Sequence, residues 1–179
     1  MMEERGLREL VELLMRYFVN PLGRWVDLLR ERRIERDIRI EDVYDVLEGR
    51  ITINLPCIDK NRKGRWICVD IDNFEQGIEV YAILRKLGIS FVPERSMGDN
   101  NGWHFWILFK PTEYNRLYKL ARKIDSLLRM YGITKVEVFP KSESVDIEKG
   151  GFGTCVRFPL SKHPETKQFS YFANEQGVK

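Results

Sequence analysis

Residues 66–71 read Trp-Ile-Cys-Val-Asp-Ile, an apolar, β-branched run that ends on Asp70 and is followed at once by Asp72. Such a run predicts a strand. A strand alternates its side chains, so Asp70 and Asp72 fall on one face at its C-terminal end. Working outward, Phe74–Leu87 repeats apolar residues at helical spacing and closes at Gly88. Ile89–Pro93 reads as a short strand and Trp103–Phe109 (WHFWILF) as one rich in aromatics. Glu113–Tyr131 is an amphipathic helix with Leu117, Leu120, Ala121, Ile124, Leu127 and Leu128 on one side, and Lys135–Phe139 (KVEVF) alternates as a strand. The order β-α-β-β-α-β is that of ferredoxin-like and RRM-like folds. The expected class is α+β.

Upstream, apolar residues spaced three and four apart predict a helix over 4–19, ended by Asn20-Pro21. A second helical pattern covers Trp25–Arg33 and a third covers Ile40–Leu47, closing at Gly49. Residues 1–49 therefore read as a helical segment packed on a core at 50–179. Downstream, Gly150-Gly151-Phe152-Gly153 makes a turn and Thr154–Leu160 (TCVRFPL) a further strand, a C-terminal β extension.

The chain has 179 residues, 43% of them apolar, and 30 basic against 27 acidic side chains, a formal charge of +3. That composition suits a globular protein of one ordinary domain. Residues 1–50 contain ten basic and twelve acidic side chains and no lysine, so the basic excess lies downstream. It permits a polyanionic partner without requiring one. No apolar run reaches the length of a membrane-spanning helix, so no membrane partner is expected. The opening MMEERGLREL lacks the apolar stretch of a secretory leader. Three cysteines (Cys57, Cys68, Cys155) without a CxxC pair form neither a disulfide framework nor a four-cysteine zinc site. A cytoplasmic location is expected.

In the 4-1-3-2 strand order of this fold, the first strand lies antiparallel to both neighbours. His104, at the start of strand three, and Glu137, near the start of strand four, then stand beside the end that carries Asp70 and Asp72. Clustered carboxylates repel unless a hard cation joins them, and Mg²⁺ or Mn²⁺ prefers oxygen ligands. Two such ions about 3.5–4 Å apart activate a 3′-hydroxyl and stabilise a leaving pyrophosphate. Each residue also has a plainer reading: Asp72 or Asn73 as N-cap of the next helix, His104 as a hydrogen-bonded core residue, Glu137 as an exposed strand position. The loop Ser96-Met97-Gly98-Asp99-Asn100-Asn101-Gly102 can bring backbone N–H groups to a phosphate. Arg157, Lys162 and His163 supply cations for a triphosphate, or are solvated surface. Lys60, Arg62, Lys63 and Arg65 form a basic loop, either an ordinary turn or a contact to a template backbone.

The series GRWICVDID, ERSMGDNNGWHFWILF, KVEVFPK and FGTCVRFPLSKHP resembles the archaeo-eukaryotic primase superfamily over about residues 45–165. More narrowly, it is similar to primase-polymerase domains of mobile elements, conflict systems and CRISPR loci. The resemblance implies that Asp70 and Asp72 bind catalytic Mg²⁺ or Mn²⁺, with Glu137 as third carboxylate and Asp146 as the alternative. It implies that His104, Ser96, Lys162 and His163 contact the incoming nucleotide. The implied reaction is template-directed nucleotidyl transfer, that of a DNA primase or primer-extending polymerase. The implied partners are single-stranded or primed DNA, NTP or dNTP, and a helicase or second primase subunit. This sequence has a longer loop before the histidine than S-x-S-G-x-G-x-H, a glutamate as third acid, and no zinc-binding cysteine cluster. A non-catalytic single-strand-binding module and a metal-dependent nuclease are the competing readings.

Overall fold

The structure, a computed structural model, describes residues 2–98 and 101–179; Asp99 and Asn100 of the expected phosphate loop lie outside the described residues. Its elements in chain order are α1 (Met2–Phe18), β1 (Trp25–Asp27), β2 (Arg32–Ile34), α2 (Ile40–Leu47), β3 (Ile53–Pro56) and β4 (Lys63–Ile71). They continue with α3 (Phe74–Lys86), β5 (Val92–Arg95), β6 (Trp103–Glu113), α4 (Tyr114–Met130), β7 (Val136–Phe139), β8 (Cys155–Arg157) and β9 (Tyr171–Phe172). The protein is α+β, with two antiparallel sheets ordered β7-β4-β6-β5-β9 and β2-β1-β3-β8. Within the larger sheet, β4, β5, β6 and β7 take the expected 4-1-3-2 order, and β9 adds a strand at its edge.

The alternation of β4 builds two cores. Ile67, Val69 and Ile71 face α3 and α4, where they meet Val80, Leu84, Leu117, Ala121, Ile124 and Leu128. Trp66 and Cys68 face the other way, onto Val11, Leu14 and Phe18 of α1 and Ile53, Leu55 and Val156 of the smaller sheet. The larger sheet is thus the middle of three layers. Trp66 Nε1 donates to the Phe18 carbonyl at 2.8 Å, so the indole is satisfied as well as buried.

The structure corrects the front of the chain. Trp25–Arg33 is a β-hairpin rather than a helix: Trp25 and Asp27 are only 2% and 1% exposed, and β1 pairs with both β2 and β3. Asp27 accepts from the Leu29 and Thr52 backbone N–H groups, which fastens the turn to the neighbouring chain. Sheet pairing here outweighs a weak local helical preference. The extension at 154–160 is also shorter than expected, and β8 joins β3 in the smaller sheet. The strand expected at Ile89–Pro93 sits later, at Val92–Arg95.

Candidate active site

The register of the larger sheet draws one row across four strands. Asp70 on β4 is the direct partner of Glu137 on β7 and of His104 on β6, and His104 is the partner of Glu94 on β5. All four side chains share the face turned toward the smaller sheet, because Cys68 and Trp106 on the same pleat belong to that core. Glu137, not Asp146, stands beside Asp70. Asp146 lies in the loop between β7 and β8, where it accepts from the Lys149 N–H and pairs with its ammonium, each at 3.2 Å. The cap of α3 is Asn73, whose side chain accepts from the Gln76 N–H at 2.9 Å. Asp72 is therefore not the cap, and with Asp70, Asn73, Lys135 and Glu137 it lines a cavity of about 540 Å³.

The electrostatics divide the row. Burial, aided by Asp72 and Glu137, pushes Asp70 above its ordinary carboxylate value although His104 and Arg157 oppose the shift. Glu137 is half-exposed, with one oxygen 3.0 Å from the Lys141 ammonium. His104 is 6% exposed, with Nδ1 3.0 Å from Glu94 Oε2 and Nε2 3.6 Å from Asp70 Oδ1. Burial disfavours its charged form, yet Asp70 and Glu94 outweigh burial and raise it. His104 is a hydrogen-bonded interior residue that faces the acids.

Arg157 reaches this region from the smaller sheet. Its guanidinium donates to the Ser96 and Ser161 carbonyls and so ties the loop after β5 to the segment after β8. Burial lowers its pKa, while Glu94 and Asp70 oppose that. Ser96 is buried and donates its N–H to the Gly102 carbonyl at 3.0 Å. His163 comes to the same loop: a Cβ placed on Gly98 would stand 3.4 Å from its Nε2, and Thr166 Oγ1 bonds the Met97 carbonyl at 2.7 Å. The aliphatic chain of Lys162 packs by Gly49, and its carbonyl accepts from Thr52 Oγ1. The basic loop is differently placed. Arg62 bonds the Val145 carbonyl, Lys63 lies 4.0 Å from Glu113, and Arg65 bonds the Arg16 carbonyl. These residues sit at or just before the start of β4, from roughly 16 Å (Arg65) to roughly 26 Å (Arg62) along the chain from Asp70.

Sequence reasoning missed Glu94. It is 1% exposed, accepts from Trp106 Nε1 at 2.8 Å and from the Leu160 N–H at 2.9 Å, and meets the His104 ring. Burial alone would raise its pKa, but the hydrogen bond and charge of His104, with Arg157 and Ser170, hold it below the ordinary glutamate value. The available signal was alternation: continuing β5 by two residues past Pro93 puts Glu94 and Arg95 on opposite faces. Arg95 indeed turns to the other face, stacking over Phe74 and Trp103 and donating to the Asn101 and Gly102 carbonyls.

Among the described residues, no three His, Cys, Asp or Glu side chains are already drawn into a set of metal ligands. The donor chemistry nevertheless fits a hard divalent cation. Three carboxylates converge on one end of β4, and burial, with smaller contributions from Asp72 and Glu137, raises the pKa of Asp70.

An α+β domain built on two antiparallel sheets is consistent with a primase-polymerase fold. A family model described as the archaeo-eukaryotic primase domain of the TOTE conflict system matches residues 29–179, and the chain belongs to that family. Its chemistry is, at the level of class, nucleotidyl transfer. Among solved structures, the chain is similar to the polymerase domain of Mycobacterium tuberculosis ligase D in complex with DNA. The TM-score is 0.47 and the identity 14%, over 70% of this chain and 52% of that one. The chain thus spans about half the length of that structure. No curated protein matches.

Proposed function

We propose that this domain catalyses template-directed nucleotidyl transfer, acting as a DNA primase or a primer-extending polymerase in a reducing cytoplasm. The observation that carries the reading is the convergence at the end of β4. Asp70, Asp72 and Glu137 line one cavity there, and His104 stands beside Asp70, with Arg157 and the Ser96 and His163 loops close by. Asp70, Asp72 and Glu137 are the residues that would hold Mg²⁺ or Mn²⁺. Bound there, the metal supplies stabilisation for charge on the attacking 3′-oxygen and the leaving pyrophosphate.

The protein's own groups do the rest. His104 presents Nε2 toward Asp70, where it donates to a phosphate oxygen when protonated. Arg157 fixes Ser96 and the turn after Leu160, so the backbone around the triphosphate is set before nucleotide arrives. Lys162 and His163 add donors from the same segment. Single-stranded or primed DNA is the template, NTP or dNTP the substrate, and a helicase or second primase subunit the candidate companion.

A non-catalytic strand-binding module is less well supported. Such modules stack bases on exposed sheet aromatics, whereas Trp66, Trp103, Phe105 and Trp106 are fully buried between layers. The test is extension of a labelled primer, and synthesis on an unprimed strand, with each nucleotide pool and either metal. Products are expected from the wild type and not from Asp70→Ala/Asp72→Ala, with the melting temperature of the variant within a few degrees. Products that survive the double substitution would remove both aspartates from the mechanism.

A further inference from the structure

Glu94 is enclosed by protein on β5, and the chemistry above gives it no task. Isolating a carboxylate in this way is unfavourable unless donors surround it. Its donors come from two distant stretches of chain. Trp106 Nε1 and His104 Nδ1 lie on β6, at 2.8 and 3.0 Å from Oε2. The Leu160 N–H, 66 residues away in sequence, lies 2.9 Å from Oε1. Leu160 has φ +60, a left-handed conformation that a leucine adopts only when its surroundings hold it. Two residues later come Lys162 and His163.

An ionised carboxylate accepts and does not donate. Facing Glu94 Oε2, the His104 ring therefore carries a proton on Nδ1, and its Nε2 points to Asp70. The same carboxylate pins the strained turn from which the second phosphate-facing segment departs. We propose that Glu94 is a positioning residue, setting the orientation of the His104 ring and the course of the Leu160–His163 segment together, so that both meet one triphosphate. This rests on the nucleotidyl-transfer reading.

Glutamine at this position preserves volume but has one acceptor oxygen and a donating NH₂, so it cannot serve all three donors. In Glu94→Gln the apparent KM for nucleotide is expected to rise about tenfold, with a smaller fall in kcat and unchanged template affinity. Glu94→Gln combined with His104→Ala is expected to lose less than the product of the two single losses, because one residue acts partly through the other. Unchanged kinetics, or losses that multiply in full, would overturn the proposal. A wild type that incorporates no nucleotide would overturn the transfer reading, and a second measurement then judges Glu94 alone. The chain has two histidines, so ¹⁵N ring spectra of the nucleotide-free protein resolve His104 by comparison with His104→Ala. A protonated, hydrogen-bonded Nδ1 is expected in the wild type and is lost in Glu94→Gln. A bare Nδ1 in the wild type refutes the proposal even if the variant fails to fold.

Discussion

Asp42 and Asp70 show two fates of a carboxylate taken out of water. Asp42 sits in the first turn of α2, where both oxygens meet the Arg36 guanidinium at 2.5 and 2.7 Å and one accepts from the Arg39 N–H at 2.8 Å. Burial would raise its pKa, but Arg36 and the Arg39 N–H outweigh burial and hold it below its ordinary value of 3.8. Asp70 has no such donor set and is raised instead. Asp42 belongs to stability, whereas Asp70 is a proposed metal ligand. Because the folded pKa of Asp42 is depressed, its contribution is complete above about pH 4 and is lost as pH falls through the folded value. Asp42→Asn is expected to cost about 1 kcal/mol near neutrality, discounted because Arg36 is partly exposed. The gap between thermal melts of the two proteins should narrow progressively as pH falls below about 4; a gap that stays constant from pH 3 to 7 would show that the charge contributes nothing. Legibility at this scale followed geometry. Asp70, Asp72, His104 and Glu137 could be brought together on paper because strand alternation and antiparallel order dictate neighbours. Glu94 could not, because a glutamate just before a polar loop reads as the exit from a strand. What makes it interior is a backbone N–H far along the chain.

The elements show the same contest between local and distant influences. The helices α2, α3 and α4 appear close to where periodicity puts them, since an amphipathic face and a terminating glycine are local properties. The β1–β2 hairpin and β3 were illegible because their strands are three or four residues long and owe their existence to one another. Trp25, Leu28 and Leu29 mimic helical spacing only because a tight turn intervenes. Within α3, Gly77 is an apparent defect that packing explains. A Cβ there would collide with the Trp103 indole, whose Nε1 donates to the Phe74 carbonyl at 3.1 Å and which is fully buried. On propensity alone, Gly77→Ala should stabilise a helix by about 1 kcal/mol. Instead it is expected to destabilise by about 1–3 kcal/mol through overpacking. It should also displace β6 beside His104, which a lowered denaturation midpoint and reduced incorporation would register together. A stabilised variant would mean that α3 can ride outward without cost.

At the scale of the whole molecule, the family match begins at residue 29, while the layer covering the site face begins with α1. Val11, Leu14 and Phe18 pack on Trp66 and Trp106, and Trp106 in turn holds Glu94. Trp25 and Val26 belong to β1, which lies between β2 and β3 in the sheet that delivers Arg157 to the row. Removing residues 1–28 therefore strips both a helix and an internal strand. Burying each large apolar side chain is worth about 1.5–3 kcal/mol. Losing Val11, Leu14, Phe18, Leu22 and Trp25 together thus approaches the whole stability of a domain, about 5–15 kcal/mol. A chain of residues 29–179 is expected to lose its cooperative thermal transition and to bind a hydrophobic dye through the uncovered Trp66 and Trp106. If that fragment melts cooperatively at the midpoint of the full chain, the front layer is an accessory and the matched region folds by itself. If it does not, the carboxylates on β4 and the cations after β8 depend on α1 and β1 for their common geometry. The front of the chain then belongs to the active site as much as to the core.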